Sequence, residues 1–197
     1  MKVSLQRAVK YFCKDIPGVR SILKEIHAEF ITVMDQADYI FKIYDPLTGA
    51  YSKRIKVRAE QDKSCLVYVY CREDNDENIQ FDFYEVQDQK LTSIFTSLYG
   101  EPVEVKKHRE VWELGNLRFH MDSVLGVGDI FEIEVVETHN HQTVEEVVMV
   151  EFLKLFEDYL LDQIHGSNED LVANPSVISS AINASWSGVL RNISSGE

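Results

Sequence analysis

The chain is poor in the features that mark several common protein classes. No stretch of its 197 residues approaches the roughly 18 uninterrupted apolar residues of a membrane-spanning helix. Its opening residues, Met1-Lys2-Val3-Ser4-Leu5-Gln6-Arg7, lack the apolar core of a secretory signal. Cysteine is sparse: Cys13, Cys65 and Cys71 are odd in number and have no metal-ligand spacing. They read as reduced thiols in a cytoplasmic protein, and the sequons at Asn183 and Asn192 then have no secretory context. Cations are in the minority, 20 Lys and Arg against 33 Asp and Glu, for a net charge of −13. A nucleic-acid binder usually carries a broad basic face, so neither nucleic acid nor membrane is the expected partner. An acidic chain can still hold an anion if it gathers its few cations into one pocket. No glycine-rich loop precedes a Lys-Ser or Lys-Thr pair, which removes the Walker type of phosphate site. There is no supported Ser–His–Asp or Cys–His constellation and no internal repeat.

What is present suits one folded domain. Hydrophobic residues make up 45% of the chain, and at about 100–200 residues per domain the length allows one real core. The segment through Phe12 reads as strand. Asp15 is placed to cap a helix with Pro17 in its first turn, and Ile16, Val19, Ile22, Leu23 and Ile26 give that helix an apolar stripe. Further strands are expected over 29–43, 53–60, 65–72, 81–86, 103–110, 116–124 and 130–137. Asp45-Pro46-Leu47-Thr48-Gly49 signals a turn. A short helix is expected over 90–98, ended by Gly100, and a long acidic amphipathic helix over 144–164. The domain spans residues 1–172. From 173 to 197 the chain turns Ser- and Asn-rich and nearly uncharged, yet Ile178, Ile182, Trp186, Val189, Leu190 and Ile193 fall at helical spacing. That tail is expected to be an amphipathic helix docked on its own domain. Covering a barrel mouth and forming a homodimer contact are its other uses.

Successive side chains of a strand point to opposite faces. With that period, several strands carry one apolar and one ionic face. Lys56 and Arg58 share a face, opposite Ile55 and Val57. Lys107 and Arg109 form a second pair, and Tyr70 and Arg72 a third. Arg118, His120 and Asp122 lie together, as do Glu132 and Glu134. For one strand alone this is the ordinary pattern of a sheet with a wet face. Segregation of cations and carboxylates onto different strands is less ordinary. Lys and Arg neutralise phosphate oxygens, Arg two at once. Asp and Glu hold Mg²⁺ or Mn²⁺, which bridges those oxygens. A sheet that closes on itself would put both sets in one cavity.

Longer segments carry a resemblance. They are His27-Ala28-Glu29-Phe30 with Asp35-Gln36-Ala37-Asp38-Tyr39-Ile40-Phe41, then Lys53-Arg54-Ile55-Lys56-Val57-Arg58, Tyr70-Cys71-Arg72 and Val105-Lys106-Lys107-His108-Arg109. The most specific is Arg118-Phe119-His120-Met121-Asp122-Ser123-Val124-Leu125-Gly126-Val127-Gly128-Asp129-Ile130-Phe131-Glu132-Ile133-Glu134, with Gly166-Ser167-Asn168-Glu169-Asp170-Leu171 near the end. In order and spacing these resemble the motifs of the CYTH, or triphosphate tunnel, family over about residues 10–172.

The resemblance implies an α+β fold, a closed eight-stranded antiparallel β-barrel with flanking helices. It implies that Lys56, Arg58, Arg72, Lys107, Arg109, Arg118 and His120 contact a triphosphate. Lys10, Arg58 and Arg109 are the candidate catalytic cations, and Asp122, Glu132 and Glu134 would hold Mg²⁺ or Mn²⁺. The implied activity is divalent-metal-dependent processing of a nucleoside or inorganic triphosphate. It would be either adenylyl cyclase-like, of class IV, converting ATP to cyclic AMP and pyrophosphate, or hydrolytic. One departure stands against that activity. The family carries glutamates two and four residues before the lysine that Lys10 matches, and here those positions are Ala8 and Gln6. Neither can give an anionic oxygen to a metal. The alternative expectation is a catalytically degenerate tunnel that binds a nucleotide or polyphosphate.

Overall fold

In the computed structural model, residues 2–44, 47–49, 51–59, 65–70, 78–86, 88, 90–136 and 151–174 are described. Nine antiparallel strands dominate them: β1 (Lys2–Cys13), β2 (Glu29–Tyr44), β3 (Tyr51–Ala59), β4 (Cys65–Tyr70), β5 (Asn78–Val86), β6 (Val103–Leu114), β7 (Leu117–Val124), β8 (Gly128–Val135) and a short β9 (Leu160–Gln163). They pair in the order β5-β4-β3-β2-β6-β7-β8-β1-β9. β1 also pairs with β5, Lys2 opposite Phe83 and Arg7 opposite Asn78. That pairing joins the two ends of the ladder, so β1 to β8 form a ring. β9 is an addition outside the eight, lying along β1 at Tyr11 and Cys13.

Closure gives each strand an inner and an outer face. The outer faces of β7 and β8, and of β3 and β4, are apolar where helices cover them, whereas that of β6 is exposed and polar at Glu104, Lys106 and His108. α1 (Ile16–Glu25) begins at Asp15, whose carboxylate accepts from the Gly18 amide at 3.0 Å, with Pro17 in the first turn. Its Val19 and Leu23 are buried with Phe119, Phe131 and Ile133. Phe156, from the helical residues 151–156, completes that layer. α2 (Leu91–Tyr99) covers the opposite side, where Leu91 and Phe95 pack on Phe41, Ile55, Val57, Cys65 and Val67. Burying one such side chain is worth about 1.5–3 kcal/mol, whereas buried ion pairs roughly break even against their desolvation. The outer layer therefore supplies the stability that lets the inner face stay ionic.

The inner face is apolar at one end. There Phe12, Ile40, Val105, Val124, Val127 and Ile130 pack on Ile164 and Leu171. Leu171 belongs to α3 (Asn168–Ala173), which begins in a capping box between Ser167 and Asp170. Gly126 and Gly128 make the nearby β7–β8 turn with φ of +79° and +116°, a region that side chains with a Cβ enter only with strain.

One expected element is different. Residues 144–164 are not a single helix. Among the described residues, 151–156 are helical, Glu157–Tyr159 is a 3-10 turn and Leu160–Gln163 is β9. The reason lies in the tertiary structure. The backbone of 159–164 satisfies the edge of β1 and its extension: Lys14 N–H donates to the Tyr159 carbonyl at 3.0 Å and Ile164 N–H to the Lys10 carbonyl at 2.9 Å. Continuing the helix would leave those groups on β1 without these partners. Arg72, the Asp45-Pro46 start of the expected turn, and the tail beyond Asn174 lie outside the described residues.

Candidate functional site

β2 runs between β3 and β6 and sets the register of the site. Asp38 stands opposite Arg58 and Ile40 opposite Lys56 on one side; Gln36 stands opposite Lys107 and Met34 opposite Arg109 on the other. Strand alternation, with Ile55 and Val57 outward on β3 and the exposed Lys106 and His108 outward on β6, thus directs two Lys–Arg pairs inward from both sides of one strand.

Most of these cations are held by carboxylates. Arg58 grips Asp38 with Nε to Oδ1 at 2.6 Å and Nη2 to Oδ2 at 2.8 Å. Arg109 grips Asp122 with Nε and Nη2 at 2.6 Å each, and Nη2 also reaches Glu132 at 3.2 Å. Lys107 Nζ donates to Asp122 at 3.1 Å, and Lys10 lies 3.5 Å from Glu132. Next along the face, His120 Nε2 is 2.9 Å from Glu134 Oε2. Arg118 stands apart at the rim, half-exposed and bound to Glu113 at 2.6 Å. Lys56 is the exception. Its ammonium sits 4.3 Å from the Tyr68 ring centroid, a cation–π contact, and makes no ion pair among the described residues.

The electrostatics follow from burial and crowding. Burial and the neighbouring Arg58 pull Lys56 down to about 8, and burial and Arg109 pull Lys107 down to about 7. Burial alone would raise the two aspartates. Arg58 overcomes it at Asp38, and Arg109 with Lys107 at Asp122, holding both well below the usual carboxylate range. Glu132 is brought down to about 2 against its burial, chiefly by Lys10. Burial and Arg109 push His120 below the ordinary histidine value, against the hydrogen bond it makes to Glu134. A neutral His120 that donates from Nε2 leaves Nδ1 buried with no partner among the described residues.

Asp38, Gln36 and Arg54 join the site without having been singled out as site residues in the sequence. Arg54 lies two residues before Lys56 and so shares its face, the one signal that could have found it. Its Nη1 donates to Ser167 Oγ at 2.8 Å and Glu169 Oε1 at 2.7 Å, and its Nη2 lies 3.1 Å from Asp170. Asp38 and Gln36 share parity on β2 between the two Lys–Arg pairs. Gln36 is 7% exposed, and its Oε1 has no partner among the described residues.

A closed ring of eight antiparallel strands with inward cations is the architecture described for one family above, and the CYTH domain matches residues 9–165. The chain belongs to the CYTH family. Solved structures agree on the fold of this CYTH chain. It is similar to the PH1012 protein of Pyrococcus horikoshii OT3, with 22% identity and a TM-score of 0.67 over 84% of this chain and 98% of that one. A candidate adenylate cyclase of Vibrio parahaemolyticus is 17% identical, with a TM-score of 0.66 over 86% of this chain and 98% of that one. An adenylyl cyclase-like protein of Hippeastrum, described as having a dominant triphosphatase activity, is 12% identical, with a TM-score of 0.58 over 87% of this chain and 95% of that one. At these identities the likeness establishes the fold alone. No curated protein matches the chain.

CYTH proteins are in general triphosphate-processing and divalent-metal dependent, so the carboxylates can be tested against a metal. Mg²⁺ needs several open oxygens in near-octahedral array. Among the described residues, no three His, Cys, Asp or Glu side chains are grouped to hold an ion. Asp122 gives both oxygens to Arg109 and Lys107, Glu132 gives both to Lys10 and Arg109, and Glu134 gives one to His120. On β1, Ala8 faces Glu134 in the register and Lys10 faces Glu132, so the neighbouring strand adds no acid there. Among the described residues, the carboxylates do not fit a resident divalent ion.

Proposed function

We propose that the tunnel binds a triphosphate, inorganic or of a nucleoside, through Lys56, Arg58, Lys107 and Arg109. Lys56 supports this most directly. It is a partly buried ammonium beside Arg58, without an ion-pair partner among the described residues. An anion with closely spaced oxygens would satisfy it and share Arg58 and Arg109, whose planar forks match phosphate. Asp38 and Asp122 are positioning residues in this reading. They fix both guanidinium groups before the ligand arrives, which lowers the ordering cost of binding. His120 and Lys10 lie farther along the same face, and Arg118 at its rim.

Turnover is a second reading, favoured by membership of a triphosphate-processing family. Lys10, Arg58 and Arg109 would then neutralise charge developing on the transferred and leaving phosphates. Calorimetry with tripolyphosphate, ATP and thiamine triphosphate tests the binding reading. Binding of at least one is expected, weakened by roughly a hundredfold or more in the Arg58→Ala, Arg109→Ala double variant, since charge-assisted contacts are the strong ones. Failure of all three to bind would refute it. Product formation with Mg²⁺ or Mn²⁺ that disappears in the Glu132→Gln, Glu134→Gln variant would establish turnover.

A further inference from the structure

We infer that this tunnel takes its triphosphate as the metal-free anion, with the chain's own cations in the place of a divalent ion. Resting on the triphosphate reading above, this concerns what accompanies the ligand into the lumen.

Three observations carry it. The first is the balance of charge. On the inner face between the rim and the Arg54 clamp, the described residues include five cations, Lys10, Lys56, Arg58, Lys107 and Arg109. They face four carboxylates, Asp38, Asp122, Glu132 and Glu134. A divalent cation is drawn to a cavity with surplus negative charge, and the described residues counted here show none.

The second is that three of the four carboxylates are fully committed. Asp38 and Asp122 each bind an arginine through both oxygens, and Glu132 bridges Lys10 and Arg109. Asp122 is 1% exposed. For it to turn to a metal, Arg109 and Lys107 would lose their counter-charge in a buried site, and stranding a buried cation is strongly unfavourable. Of the four, Glu134 alone keeps an oxygen outside these pairs, and one carboxylate does not make a Mg²⁺ site.

The third is the strand beside Glu132 and Glu134. In the β1–β8 register, Ala8 is opposite Glu134 and Lys10 opposite Glu132. β1 therefore brings an ammonium, 3.5 Å from Glu132, to the place where a metal site would need another oxygen. Mg²⁺ in solution also binds the triphosphate itself and removes charge that Lys56 and Arg58 would recognise. The ion then competes with the tunnel rather than serving it.

The experiment is calorimetry of the full chain with tripolyphosphate, once with EDTA and once with excess Mg²⁺, near neutral pH. The expected result is binding in EDTA at least as tight as in Mg²⁺. Mn²⁺ offered without tripolyphosphate and followed by its EPR signal should stay free. Binding seen only with Mg²⁺ or Mn²⁺ would overturn the inference and leave the triphosphate reading standing. Absence of binding under both conditions would overturn both. Ala8→Glu places a second carboxylate beside Glu134. It should lower affinity in EDTA by roughly tenfold or more through added repulsion in a poorly solvated site, and Mn²⁺ should restore it. A folded Ala8→Glu protein that binds as the parent does in both conditions would overturn the inference too.

Discussion

Lys56 and Lys107 set the pH response of the lumen. Each gives up its proton well below an ordinary lysine, at about 8 and about 7 respectively. A bound polyanion favours the ammonium form, so ligand raises both values. Well below 7 both are protonated with or without ligand, and these lysines exchange no proton. As pH rises through about 7 and about 8 the empty tunnel releases protons that the filled tunnel must recover. Affinity therefore falls with rising pH across that window, by linkage. Calorimetry in two buffers of different ionisation enthalpy should show net proton uptake on these lysines, reduced in Lys107→Met; net release after correction for the ligand's own titration would contradict the assignment. Asp122→Asn is a separate expectation. It leaves Arg109 and Lys107 short of a counter-charge and should cost about 3–5 kcal/mol of stability in urea melts. The cations of this site were legible as pairs two residues apart, with apolar neighbours only for Lys56 and Arg58. Asp38 was not, because it has no acidic partner at that spacing on its own strand. Its partner, Arg58, is across the ladder.

The elements differ in how much of their structure is local. α1 was readable from Asp15, Pro17 and its apolar stripe, since a cap and a period are local events. β9 was not. Phe152, Leu153 and Phe156 continue a helical pattern into Tyr159 and Leu160, and only the exposed edge of β1 makes the chain leave it. α3 depends on another long-range contact. Arg54 joins β3 to Ser167, Glu169 and Asp170, and Glu169 is 5% exposed. Replacing Glu169 by Ala removes the more buried of Arg54's two carboxylate partners, leaving Asp170, and should loosen α3 at the apolar end of the barrel. Amide exchange at Leu171 and neighbouring residues should then rise steeply, while the β6–β8 strands stay protected. Uniform protection in the variant would show that Leu171 and Ile164 hold α3 without the clamp.

For the whole molecule, membership of the CYTH family was legible from the order of its motifs, most of all the run from Arg118 to Glu134. That resemblance also implied the closed eight-stranded barrel, but not the binding of inner carboxylates to inner cations. The binding depends on register between strands far apart in sequence. β1 is the clearest case. It pairs with β5 over Lys2–Arg7, with β8 over Arg7–Phe12 and with β9 at Tyr11 and Cys13. Of the nine strands, β1 is made before every strand it pairs with and waits for them. Such non-local pairing slows folding, because loop closure is paid for before any contact returns it. Until Gly128–Val135 has emerged, β1 has lost the partner for Arg7–Phe12, and open strand edges invite pairing between chains. A chain interrupted before β8 should therefore aggregate rather than persist as a half-barrel. The seam that makes the tunnel is also the last part of it to form.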